Sequence, residues 1–151
     1  MTRRVAVALA LVFAASCGGG SSSPLAPSPI ADDSDIHVFA ASVEAGAGGV
    51  AEVVADLHNA ADAKDALVSV SCSCGGTAAL YDEGTTKPTS SIALPSQKVV
   101  LFGPKGARIQ LTDLAQPLSS LTTVDLTFSF ANAAPTTATA AIQGAGSPSP
   151  T

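Results

Sequence analysis

The chain has 151 residues and a formal net charge of −5, and its few lysines and arginines are scattered rather than clustered. Because nucleic-acid binding depends on grouped basic side chains that neutralise phosphates, this charge pattern argues against DNA or RNA as a partner. With no tryptophan, one tyrosine and five phenylalanines, a folded core must be built largely from Val, Leu, Ile and Ala.

The N-terminus has the layout of an export signal. Arg3 and Arg4 precede an apolar run over residues 5–15, and small residues end at Ser16, as in a signal peptide with its cleavage site. The apolar run is shorter than the roughly 20 residues that a membrane-spanning helix needs. We therefore predict a signal peptide over residues 1–16 and no transmembrane helix.

Cys17 directly follows this signal. The stretch FAASC resembles a bacterial lipobox, in which the cysteine becomes the lipidated first residue of the mature chain. Residues 17–34 are rich in Gly, Ser and Pro and are typical of a flexible tether. Two acyl chains such as palmitate on Cys17 would hold the protein at the outer face of the bacterial plasma membrane. Cleavage by an ordinary signal peptidase, which would give a secreted protein, stays open as the alternative.

Strand periodicity dominates residues 35–143, which we predict to form one domain. Residues 51–57 and 124–130 alternate apolar and polar side chains, the pattern of a half-buried strand. Turn residues separate shorter strand-like runs, which lie at 36–43, 67–72, 78–81, 91–94, 98–102, 108–111 and 137–142. Many short strands without a helical stretch predict an all-β, immunoglobulin-like antiparallel sandwich. The tail at 144–151 is predicted to be disordered.

Two long stretches of this domain resemble a known family. They are GVAEVVADLHNAADAKDALVSVS at 49–71 and IALPSQKVVLFGPKGARIQLTDLAQPLSSLTTVDLTFSF at 92–130. Their order and spacing resemble the periplasmic copper chaperones of the PCu(A)C family, also described as DUF461-type lipoproteins. The resemblance implies a cupredoxin-like sandwich, a role in envelope copper handling, and delivery of copper to a receiving protein such as the CuA centre of cytochrome oxidase.

The copper ligands of that family are missing from this sequence. The family binds copper(I) through His and Met, because a soft monovalent ion favours imidazole and thioether ligands. Its G-x-H-x-M-L motif aligns with residues 106–111, which puts Arg108 at the His and Gln110 at the Met. Its first His aligns with Tyr81 or a near neighbour, and no Met follows. The sequence therefore predicts a divergent member, and a non-metal-binding envelope interaction module on the same scaffold is the alternative function.

Cys72 and Cys74 are the candidate replacement ligands. Strand alternation places both on one face, together with Val68 and Val70. Residues two apart in an extended strand lie about 6.6–6.8 Å apart at Cα, the upper limit for a disulfide, so a Cys72–Cys74 bond requires the chain to bend. Three interpretations stay open: a disulfide formed in an oxidising compartment, a two-thiolate copper(I) site, or thiols packed as small hydrophobic side chains.

The other polar residues form no recognised site. We interpret His37 and His58 as solvated surface residues, and a structural zinc site is disfavoured because it needs about four ligands. Asp32, Asp33 and Asp35 lack the glycine and distal Glu of a calcium loop. The sequence has no G-x-S-x-G, no H-E-x-x-H and no phosphate-binding glycine loop, so we predict that the protein is not an enzyme.

Overall fold

A computed structural model describes residues 35–144 of the chain. The predicted signal peptide, Cys17 with its tether, Asp32 and Asp33, and residues 145–151 of the predicted tail lie outside the described residues. Within the described range no helix combines the length and the hydropathy required to span a bilayer.

Residues 35–144 form ten strands and two short 3-10 helices. The 3-10 helices are Ala47–Gly49 and Leu118–Ser120. The strands are β1 (Ile36–Ala45), β2 (Ala51–Asn59), β3 (Asp65–Cys72), β4 (Thr77–Tyr81), β5 (Pro88–Thr89), β6 (Ile92–Leu94), β7 (Lys98–Phe102), β8 (Arg108–Thr112), β9 (Thr123–Phe130) and β10 (Thr136–Gln143). Every run that the sequence predicted contains a strand, and the two-residue β5 was not predicted.

The strands form one continuous hydrogen-bonded path that encloses the core. Their order is β5-β4-β8-β2-β1-β10-β9-β3-β6, and β7 pairs with β2 outside this path. β2 has two partners on the same edge, because β8 pairs with its first half and β7 with its second half. Among the paired strands of the described residues, only β1 and β10 run parallel. The predicted all-β sandwich is confirmed.

Alternate side chains of the longest strands build the core. On β2 every second residue, namely Ala51, Val53, Ala55 and Leu57, has no exposed surface, while the residues between them are half-buried. On β9 the buried positions run from Val124 to Phe130 in the same alternation. Full burial of a large aliphatic or aromatic side chain contributes about 1.5–3 kcal/mol relative to exposure. Apolar alternation in the sequence therefore accounts for which face of each strand is buried.

The sequence analysis placed Val68 and Val70 on the same face of β3, and this prediction is wrong. Leu67 is fully buried, whereas Val68 is 40% exposed. The pairing of β3 with β9 shifts register between Leu67 and Ser69, which leaves Val68 as the extra residue of a bulge. A bulge reverses the side-chain alternation on the strand that carries it, so Val68 does not share a face with Val70.

Candidate metal centre

Tyr81 and Arg108, the two residues aligned with histidine ligands of the family, lie on the outer face of the β4–β8 pair. Tyr81 and Arg108 are directly opposite in the β4–β8 register, and the guanidinium carbon of Arg108 lies 5.0 Å from the centre of the Tyr81 ring. Arg108 also donates a hydrogen bond from Nη2 to the carbonyl oxygen of Thr85 at 2.8 Å. Because a guanidinium carries a fixed positive charge and has no lone pair to donate, Arg108 cannot serve as a metal ligand in place of the family's His.

Gln110, aligned with the family's Met, has a carboxylate side chain as one cross-strand neighbour. It lies opposite Ala79 on β4 and Glu52 on β2, and Glu44 on β1 is opposite Glu52 in turn. Among the described residues, the Glu52 Oε1 atom is buried without a hydrogen-bond partner. Carboxylate and amide oxygens suit hard ions such as Mg²⁺ and Ca²⁺ rather than copper(I). The outer face at β8 therefore lacks the ligand chemistry that the family motif supplies.

Cys72 and Cys74 are joined by a disulfide at the end of β3. Their sulfurs are 1.97 Å apart and their Cα atoms 5.0 Å apart, which is closer than an extended strand allows. The chain bends after Cys72, the last residue of β3, and continues through Gly75 and Gly76, both with positive φ. At Gly76 a Cβ atom would overlap the Thr112 carbonyl oxygen, so the turn requires glycine there.

The disulfide and the Tyr81–Arg108 stack lie at opposite ends of β4. The cysteine turn leads into Thr77, which pairs with Thr112, whereas Tyr81 is the last residue of the strand. Four residues of strand span about 13 Å, so the cysteines cannot complete a site at Arg108. Since the thiolate is the metal-binding form of cysteine, the pair offers soft ligands only after reduction.

The two histidines, by contrast, are brought together. His37 on β1 is directly opposite His58 on β2, their ring centroids are 6.4 Å apart, and both side chains are half-buried. The sequence interpretation treated them as separate surface residues, because the register of β1 on β2 could not be read from the alternation. No cluster of three or more His, Cys, Asp or Glu side chains suited to a metal ion occurs within residues 35–144.

Comparison with solved structures defines the class of fold. The chain is similar to the apo PCuAC domain from PmoF1, with 25% identity and a TM-score of 0.65 over 73% of this chain and 94% of that chain. It is also similar to the copper-bound PCuAC domain from PmoF2 (21% identity, TM-score 0.63, 73% and 93% covered) and to the apo form of the PmoF2 domain (21%, 0.61, 73% and 90%). These likenesses define a PCuAC-type β-sandwich and confirm the predicted resemblance.

A family model described as "Putative lipoprotein LpqE-like" matches residues 34–142. The chain therefore belongs to the LpqE-like family. No curated protein matches the chain significantly.

Proposed function

We propose that this protein is an exported lipoprotein of the PCuAC type that handles copper in the bacterial envelope and has no enzyme activity. The observation that carries the proposal is the likeness to the copper-bound PmoF2 domain, which spans 93% of that domain. The proposal extends the cargo printed for that domain to this chain on the basis of the shared fold. Transfer of copper to a receiving protein, including the CuA centre of cytochrome oxidase, is the part of the proposal that rests on the family resemblance.

The lipid anchor that we propose is attached to Cys17. The lipobox-like FAASC stretch and the family description as a putative lipoprotein support this part of the proposal. Metabolic labelling with radioactive palmitate is expected to label the protein in the membrane fraction, and Cys17→Ser is expected to lose the label completely. Cys72→Ser is the matched control and should keep it. Label that survives Cys17→Ser, or a parent protein found only in the soluble fraction, would favour the secreted alternative.

A non-metal-binding interaction module is the second candidate function. The observation that favours it is the Tyr81–Arg108 stack, which occupies the position of the family's ligands with a fixed positive charge. On this alternative the sandwich is retained for its surface, and loss of the copper ligands carries no penalty.

Copper(I) competition separates the two functions. The mature protein, extracted from the envelope in mild detergent, is titrated with copper(I) against a coloured chelator, once oxidised and once after disulfide reduction. We expect the protein to withdraw copper from the chelator, and we expect reduction to add capacity through Cys72 and Cys74. The added capacity should disappear in Cys72→Ser and Cys74→Ser, because each variant leaves a single thiolate. A parent that removes no copper in either redox state would overturn the copper proposal and favour the second function.

A further inference from the structure

We propose that His37 and His58 form a two-histidine copper site on the outer face of the β1–β2 pair, and that this site operates while Cys72 and Cys74 are joined as a disulfide. The inference rests on the proposed copper-handling function and names the residues that would carry it in the oxidised protein.

The spacing of the two rings suits one shared ion. Side chains directly opposite on antiparallel strands have Cβ atoms about 4.5–5.5 Å apart, and the ring centroids of His37 and His58 are 6.4 Å apart. A metal–nitrogen bond of about 2.0 Å plus a ring radius of about 1.1 Å puts each centroid about 3 Å from a bound ion. Two imidazoles on opposite sides of one ion thus have centroids about 6 Å apart.

A bulge in β1 creates this juxtaposition. From Ser42 to Ala45, β1 pairs with β2 in a register that, if continued, would place His37 opposite Asn59. The register instead shifts by one residue between Phe39 and Ser42, where Ala40 has a φ of 51°. Left-handed backbone costs a non-glycine residue roughly 1–2 kcal/mol, and bulges commonly re-aim side chains at functional sites. The same register shift places the Ile36 side chain in the core. The bulge therefore contributes to core packing as well as to the pairing of the two histidines.

The surroundings favour copper over other ions. Within residues 35–144 no third His, Cys, Asp or Glu completes a metal cluster with the two imidazoles, so the pair does not meet the four-ligand requirement of a structural zinc site. Imidazole is also a poor ligand for hard ions. Copper(I) accepts two-coordinate binding, and among divalent ions copper binds nitrogen ligands most strongly. The exposed side chains of Phe39 and Val99 border the pair, and the Asp56 carboxylate lies on the same face of β2 as His58. An apolar border and one nearby negative charge suit a soft monovalent cation.

The test is a titration of the oxidised mature protein with copper(I), kept reduced by ascorbate, which leaves the disulfide intact. Loss of a residue that only supports a metal ligand typically weakens metal binding by about 10–100-fold. Because each histidine is proposed as a direct ligand, His37→Asn and His58→Asn should each weaken copper binding by more than this. The Cys72→Ser, Cys74→Ser double variant should bind copper like the parent. As a second readout, copper(I) should shift the imidazole proton resonances of His37 and His58 together in the parent. Thermal unfolding of both histidine variants, expected to be unchanged, controls for the fold.

The outcomes separate the site from the function. Copper binding that both histidine variants retain, or imidazole resonances that do not move, would overturn the histidine site and leave the copper-handling function standing. Copper binding seen only after disulfide reduction would also overturn the histidine site without overturning the copper-handling function. In that case the copper would be assigned to Cys72 and Cys74. Absence of copper binding in both redox states would overturn the function together with the site.

Discussion

Asn59→Asp is expected to lower the free energy of unfolding by about 3–5 kcal/mol at neutral pH, although the two side chains have nearly equal volume. Asn59 is only 1% exposed. Its Nδ2 donates to the carbonyl oxygens of Ala63 and Leu94, each at 2.9 Å, and its Oδ1 accepts from the backbone N–H of Ala61 at 3.1 Å. An ionised carboxylate cannot donate, so the substitution would bury a negative charge against two carbonyl oxygens.

Urea unfolding of the parent and of Asn59→Asp at several pH values measures this effect. Acid should restore part of the stability, because a protonated carboxyl regains one donor. Gln116→Glu makes the same charge change on an exposed side chain and should stay within about 0.5 kcal/mol of the parent. Equal stability of the two variants at neutral pH would mean that the Asn59 amide does not hold the β2–β3 loop against β6.

Strand positions could be predicted from the sequence because apolar residues occupy every second position along β2 and β9. The bulges in β1 and β3 could not be predicted from the sequence. In β3 the neighbours Leu67 and Val68 are both apolar, so composition gives no sign of which one faces the core. In β1 an apolar run around Ala40 hides the residue at which the register shifts. A bulge adds one residue to one strand and depends on the partner strand, which a single sequence does not display.

The same limit applies to the candidate sites. The identities of Arg108 and Gln110 at the ligand positions were visible from the motif alignment, and so was the need for a bend between Cys72 and Cys74. The Tyr81–Arg108 stack and the His37–His58 pair are products of cross-strand register, which is set by the pairing of β4 with β8 and of β1 with β2. If the bulge in β1 had been known, the predicted cross-strand partner of His37 would have changed from Asn59 to His58.

Asp65 joins the start of β3 to the loop between β9 and β10. Its Oδ1 accepts from the backbone N–H of Ala66 at 2.7 Å and from both the backbone N–H and Nδ2 of Asn132 at 3.0 and 3.1 Å, while Oδ2 accepts from the N–H of Ala133 at 2.8 Å. Burial by itself raises the pKa of the Asp65 carboxyl, but the hydrogen bonds from Ala133, Ala66 and Asn132 together outweigh it and hold the pKa below its ordinary value.

Because the pKa of the Asp65 carboxyl is lower in the folded state than in the unfolded state, the unfolded state binds more protons in acid. Its stabilising contribution is therefore fully present above the unfolded pKa of about 3.9 and is lost as the pH falls through the folded value. Asp65→Asn should lower the free energy of unfolding by about 1–2 kcal/mol at pH 7, because an amide cannot accept all four hydrogen bonds. The difference from the parent should shrink as both are taken to strongly acidic pH.

Urea unfolding of parent and Asp65→Asn at neutral and strongly acidic pH tests this expectation. Glu83→Gln removes the same negative charge from an exposed side chain and should change stability by no more than about 0.5 kcal/mol at either pH. A gap between parent and Asp65→Asn that stays constant into strong acid would show that the ionised carboxylate is not the stabilising form. Since the carboxylate accepts from Asn132 and Ala133 across 67 and 68 residues of chain, its protonation should loosen the β9–β10 loop before the core unfolds.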